Sequence, residues 1–181
     1  MNEKKIGQRI VIVGSTSAGK TTLAKQLAEG FELPRVELDA LYWGPNWTPR
    51  PREELRARVA EALKGDKWVV DGNYSMARDL IWPRAETLIW LKYSLPVILW
   101  RLTRRTFRRL WTQEELWNGN REKWRIQFSR DSLFLWVFTS YRRRRRTYEI
   151  VLKKPEYAHL TVHCFTSPKA TEKWLSSLDG V

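Results

Sequence analysis

Residues 14–22 read Gly-Ser-Thr-Ser-Ala-Gly-Lys-Thr-Thr, a complete G-x-x-x-x-G-K-T string, and their flanks restrict what the chain can fold into. Before them, Arg9-Ile10-Val11-Ile12-Val13 is a short β-branched stretch of the kind that forms a buried strand. After them, Leu23, Ala24, Leu27 and Ala28 recur at helical spacing, and Gly30 supplies a stop. Strand, glycine loop and helix in that order make a phosphate-binding loop. Gly14 and Gly19 let the backbone N–H groups of Ser15, Thr16, Ser17 and Ala18 turn toward phosphate oxygens, backed by the helix N-terminus. Lys20 is expected to reach the β- and γ-phosphates of ATP and the Thr21 hydroxyl to ligate Mg²⁺, with Thr22 closing the motif.

A chain of 181 residues is long enough for one full α/β core, so a single domain over 1–181 is expected. The N-terminus leads straight into the first strand, and no secretory signal is expected. The longest apolar run, Leu133 to Phe138, is far short of the ~20 residues a membrane span needs. Cys164 stands alone, which excludes an internal disulfide and fits a reducing, cytoplasmic setting. With two histidines and one cysteine a zinc site is not expected. The net charge of +13 fits either polyanion binding or a site that encloses several phosphates, and most arginines fall between Arg101 and Arg146.

Strands and helices alternate, which predicts a parallel sheet of about five strands with helices on both faces. The expected strands are Arg9–Val13, Arg35–Asp39, Trp68–Asp71, Thr87–Leu91 and His159–Phe165. Residues 40–50 read as irregular. Pro51 opens a helix whose apolar stripe is Leu55, Val59 and Leu63. Ser94 caps a helix to about Leu110, 131–152 forms a long helix, and 167–178 a closing one.

Two carboxylates, Asp39 and Asp71, are expected to end adjacent strands and face the loop, because ligands bind beyond the C-terminal ends of parallel strands. Asp71 fits the hydrophobic-run-then-aspartate pattern of a metal holder better. Asp39 is the alternative, or it orients the attacking hydroxyl. Trp43 and Trp47 offer stacking faces for an acceptor or act as packing mass, and Arg50 could hold an anionic group. Asn73 and Arg78 follow Asp71 and are expected on the same cleft. Arg101, Arg104, Arg105, Arg108 and Arg109 share one side of their helix, opposite Val97, Trp100 and Phe107. With Arg121 and Arg125 they make a candidate lid over about 104–130. The run Arg142 to Arg146 points all round its helix, so one or two at most enter a site and the rest face solvent.

Together these residues resemble the adenylate kinase-like branch of the P-loop kinases, and most closely a bacterial group labelled adenylate kinase-like or DNA-topology-modulation proteins. The resemblance runs over nearly the whole chain. It rests on the loop motif, on Leu38-Asp39-Ala40-Leu41-Tyr42-Trp43 with Trp47, on Trp68-Val69-Val70-Asp71-Gly72-Asn73-Tyr74, and on Asn118-Gly119-Asn120-Arg121-Glu122. It implies a P-loop NTPase fold of the nucleoside-monophosphate-kinase type, with an acceptor-side region near 40–65 and Ser167 and Pro168 beside the adenine. The sequence departs from the family pattern after Asp71. Adenylate kinases continue Gly-Phe-Pro-Arg, with the arginine on the monophosphate, whereas here Gly72-Asn73-Tyr74-Ser75 follows and only Arg78 is near.

The expected activity is transfer of the γ-phosphoryl group of ATP·Mg²⁺ to a small acceptor, a nucleotide or nucleoside-like molecule, with no membrane partner. Catalytic candidates are Lys20, Asp39, Arg104, Arg105 and Arg121. A nucleic-acid-associated ATPase that grips phosphates with its basic half is the alternative, and a binding module without turnover is a third.

Overall fold

In the computed structural model, which describes residues 6–122 and 133–178, five strands form one parallel sheet in the order β2-β3-β1-β4-β5. They are β1 (Arg9–Gly14), β2 (Arg35–Glu37), β3 (Trp68–Asp71), β4 (Thr87–Leu91) and β5 (Thr161–Phe165). β1 is central because it pairs with β3 on one side and β4 on the other, with Ile10 opposite both Val69 and Thr87. Near-continuous apolar runs form these strands because helices cover both faces of the sheet.

The two faces divide by residue parity. Val11, Val13, Trp68, Val70, Leu88 and Trp90 point to one side, where they pack on α3 (Arg52–Ala62) through Leu55 and Val59. Ile10, Ile12, Val69, Ile89 and Leu91 point to the other, against α1 (Lys20–Gly30), α5 (Leu95–Thr112) and α7 (Pro168–Leu175). A long α6 (Leu133–Val151) joins both layers, placing Val137 in the second cluster and Tyr148 in the first. Two short helices, α2 (Leu38–Tyr42) and α4 (Arg78–Ile81), follow β2 and β3.

Two local expectations are corrected. The second strand stops at Glu37, and Asp39 lies in the first turn of α2. Leu38, Leu41 and Tyr42 are spaced for a helix, and that spacing overrides the strand reading of Val-Glu-Leu-Asp. On α5 the buried stripe is Ile98, Leu102, Thr106 and Leu110, while Trp100 and Phe107 are exposed. The i+4 stripe wins because Ile98 and Leu102 pack into the same apolar cluster as Ile89, Leu91 and Val137.

Gly72, directly after β3, has φ +146, and a Cβ there would lie 2.7 Å from the Leu38 Cβ. Gly72→Ala is therefore expected to destabilise the protein by about 1–3 kcal/mol, read as a lower urea midpoint. An unchanged midpoint would mean that Leu38 gives way freely. Among the described residues, no helix is long and apolar enough to cross a membrane.

Candidate active site

The central strand delivers the phosphate loop to the C-terminal edge of the sheet, with β2 and β5 at opposite flanks. A cleft of about 1830 Å³ opens there, lined by Thr16 to Thr22 of the loop. The loop is shaped by Gly19, in left-handed backbone at φ 97 as the N-cap of α1, and by Ser17 at φ 60. Lys20 Nζ donates to the carbonyls of Gly14 at 3.2 Å and Ser15 at 3.0 Å. Arg101 Nη1 donates to the Ala18 carbonyl at 3.0 Å, which ties α5 to the loop.

The Thr21 hydroxyl donates to Asp71 Oδ2 at 2.6 Å. Asp71 is 3% exposed, and its Oδ1 has no hydrogen-bond partner among the described residues. Burial pushes this carboxyl up, against the pull of the Thr21 hydroxyl and the Lys20 ammonium. A buried oxygen without a partner, beside a loop hydroxyl, is a donor set suited to a hard cation such as Mg²⁺. Asp39 is held differently: Tyr74 Oη donates to its Oδ1. Burial and Asp39 together push the Tyr74 phenol far above its ordinary value, so it stays a donor.

Withdrawal from solvent pushes the Lys20 ammonium down from 10.5 to about 8, with Asp39 and Asp71 opposing and Arg144 and Arg105 assisting. The free protein thus sheds this proton above about pH 8, and phosphate binding has to draw it back. ATP affinity is expected to weaken as pH rises from about 8 toward 10.5, with uptake of up to one proton per ATP. Calorimetry in buffers of different ionisation enthalpy reads that uptake, and Lys20→Met should remove it. Stability of the free protein runs the other way. The unfolded chain keeps the proton up to 10.5, so the folded state gains stability across the same window.

Two more guanidinium groups converge on Lys20. Arg105 lines the cleft, its Nε has no hydrogen-bond partner among the described residues, and burial lowers its pKa to about 10, with Arg109 assisting. Arg144 also lines the cleft, 4.1 Å over the Trp136 ring, with its pKa lowered by burial. Of the run Arg142 to Arg146 it alone lines the cleft. Nothing in five consecutive arginines marks the middle one apart, but Ser140 and Tyr148, four residues either side of Arg144, are both buried.

The other expected residues divide as follows. Trp43, Asp39, Arg104 and Pro168 line the cleft, with Pro168 and Asp39 at opposite flanks because they follow the two edge strands. Asn73 lines it too, but its amide brackets Gly14: Oδ1 accepts from the Gly14 N–H at 3.1 Å and Nδ2 donates to the Gly14 carbonyl. Tyr148 Oη donates to the same Oδ1 at 3.0 Å, so Asn73 couples the loop to α6. Arg50 is turned to Glu54 at 2.7 Å, Arg78 lies 4.9 Å over the Trp82 ring, and Arg121 pairs with Glu115 at 3.5 Å. None of these three lines the cleft. Arg125 and the rest of the expected lid past residue 122 lie outside the described residues.

Sequence reasoning missed Glu37, which ends β2 in register with Asp71 and lines the cleft. It also missed the internal likeness of two turns. Gly44-Pro45-Asn46-Trp47-Thr48 and Leu116-Trp117-Asn118-Gly119-Asn120 have the same backbone. Asn46 (φ 57, ψ 34) matches Asn118 (φ 56, ψ 38). The closing bond from Gly44 N–H to Thr48 O, 2.8 Å, matches Leu116 N–H to Asn120 O, 2.7 Å. The turns clasp each other: Asn120 Oδ1 accepts from Trp47 N–H at 2.7 Å, and Asn120 Nδ2 donates to Gly44 O at 2.8 Å. The only residue type they share at an equivalent place is the asparagine in left-handed backbone, so the likeness has little signature in sequence.

The tryptophans sort by this geometry. Trp68, Trp82, Trp90 and Trp174 are core, Trp43, Trp47, Trp117 and Trp136 line the cleft, and Trp100 and Trp111 are exposed.

No protein-family model and no curated protein matches the sequence. Solved structures do match. A gluconokinase from Sinorhizobium meliloti 1021 aligns over 96% of this chain and 93% of its own, with TM-score 0.51 and 18% identity. A shikimate kinase from Bacteroides thetaiotaomicron aligns over 93% and 94%, with TM-score 0.53 and 18% identity. A sugar kinase from Janibacter sp. HTCC2649 aligns over 95% and 94%, with TM-score 0.50 and 18% identity. At that identity the likeness is one of fold, and the fold is the five-stranded parallel architecture of the P-loop kinases.

Proposed function

We propose that the chain is an ATP-dependent kinase that moves the γ-phosphoryl group of ATP to a hydroxyl of a small acceptor, a nucleotide or nucleoside-like molecule. The convergence of Lys20, Arg105 and Arg144 opposite the carboxylate of Asp39 carries this reading. The acceptor oxygen attacks the γ-phosphorus, its proton passes to Asp39, the bond from the γ-phosphorus to the β–γ bridging oxygen breaks, and ADP leaves with that oxygen. Loop N–H groups and Lys20 cradle the phosphates, while Arg105 and Arg144 balance charge that spreads over the transferred group. Thr21 and Asp71 would hold Mg²⁺, which would supply neutralisation of phosphate charge when bound. Tyr74 keeps Asp39 oriented and limits its rotation.

The test is ADP release from ATP and Mg²⁺ with nucleosides, nucleoside monophosphates and small hydroxy compounds, beside a Lys20→Ala control. Stimulation by one class, lost in the control, is the expected result. The exposed Arg142, Arg143 and Arg146, which make no ion pair among the described residues, favour the nucleic-acid-associated ATPase as the second reading. Stimulation by DNA or RNA and by no small acceptor would establish that reading instead.

A further inference from the structure

We infer that the outward faces of α5 and α6 dock on the surface of an anionic lipid bilayer. On α5 the side away from the core carries Trp100, Phe107 and Trp111, which are 64%, 58% and 88% exposed. At about 100° per residue the three fall within about 40° of one another. They therefore form one ridge, opposite the buried Ile98 and Leu102, and none of them lines the cleft. α6 packs against α5 and repeats the arrangement. Leu135 and Phe138 are 50% and 63% exposed, and the exposed Arg142 and Arg146 continue the same side of the helix. Arg104 and Leu135, each exposed and each lining the cleft, bring the two faces to a common rim. A single exposed apolar residue needs no explanation, but five large ones on two adjoining helices mark a contact surface.

The charge says what covers them. α5 has no acidic residue, and α6 has only Glu149, which pairs with Lys92 at 2.7 Å and Arg145 at 3.8 Å. Beyond the end of α5, Glu114 pairs with Arg108 at 3.1 Å and Glu115 with Arg121 at 3.5 Å. Arg104, Arg142, Arg143 and Arg146 make no ion pair among the described residues. A second copy of the chain would repeat the same patch and set these cations against themselves. The partner is therefore anionic.

The apolar side chains decide which anion. A single nucleic-acid strand is held in a basic groove with its bases stacked on rings. Here the rings stand on the outer ridge of a helix, and Leu135 offers an aliphatic chain with no flat face. Tryptophan and phenylalanine on such a ridge enter the boundary between headgroups and acyl chains, while long arginine side chains reach the lipid phosphates. Lying on a surface needs no spanning segment, so the short apolar runs that exclude one do not bear on it. Docked in this way, the rim of the cleft at Arg104 and Leu135 meets the membrane surface rather than bulk water.

The test offers the whole chain vesicles of phosphatidylcholine with and without phosphatidylglycerol, followed by co-sedimentation and by tryptophan emission. Binding to the anionic vesicles alone is expected, with a blue shift, and high salt should release it. Trp100→Ser with Trp111→Ser is expected to lower the partition coefficient about tenfold or more. Arg142→Gln, Arg143→Gln and Arg146→Gln together should lower it about a hundredfold. Both variants alter exposed side chains and should keep the urea midpoint. Failure to bind either vesicle overturns the inference, and tight binding of a single-stranded oligonucleotide in its place makes this a nucleic-acid surface. A dimer in light scattering that the tryptophan pair abolishes overturns it in favour of a second copy. Vesicle binding that survives both variants overturns it by placing the contact elsewhere. The kinase reading stands apart from all of these outcomes.

Discussion

Lys20→Ala is expected to lower turnover about a thousandfold while the protein stays folded. The ammonium is placed between loop carbonyls and the two carboxylates, and its charge has no other task in the core. One preorganised donor aimed at developing phosphate charge is worth about two to three orders of magnitude. Stability should not fall. The wild-type folded state carries a cation it binds less readily than the unfolded chain does, so its removal leaves the urea midpoint at pH 7 level or higher. A loss of activity below tenfold, at unchanged stability, would remove Lys20 from the phosphate path.

Arg144→Gln is expected to lower kcat by about a hundredfold or more, whereas Arg142→Gln, Arg143→Gln and Arg146→Gln combined leave it nearly unchanged. Successive helical residues turn by about 100°, so five identical side chains cannot share a fate. The register that buries Ser140 and Tyr148 carries Arg144 inward over Trp136, toward Lys20. Its neighbours at 142, 143 and 146 are exposed. Steady-state kinetics on the two proteins decide the matter. A triple substitution that costs as much as Arg144→Gln would mean that the run acts by bulk charge, as a polyanion-binding surface does.

This contrast shows where the sequence is legible and where it stops. β3 and β4 were readable to the residue because each is an apolar run bounded by turn residues. The phosphate loop was readable because its chemistry is local, with every group within nine residues. Asp39 was harder, since Glu37-Leu38-Asp39 sits where strand and helix periods overlap. Arg50, Arg78 and Asn73 were placed near the site by position alone. Their orientations depend on Glu54, Trp82 and Gly14, and no spacing rule supplies those partners. Arg144 depends on the phase of a helix set by packing at both its ends. Local chemistry can be read along the chain, but partner choice belongs to the folded state.

Trp47 has φ 55, while its equivalent in the twin turn is Gly119, at φ 78. Glycine adopts that backbone without strain, and a bulky side chain there costs on the order of 1–3 kcal/mol. The chain therefore tolerates a less stable turn where a glycine would be easier, and what it gains is an indole facing the cleft. Trp47→Gly should then relax the turn but lose the bond to the Arg121 carbonyl and the ring contacts with Trp43 and Trp117, so the urea midpoint moves little while the cleft loses a wall. The indole also ties the two turns together, through its bond to the Arg121 carbonyl at 3.2 Å and its edge contact with Trp117, so strain in one turn is exchanged for a clasp between both.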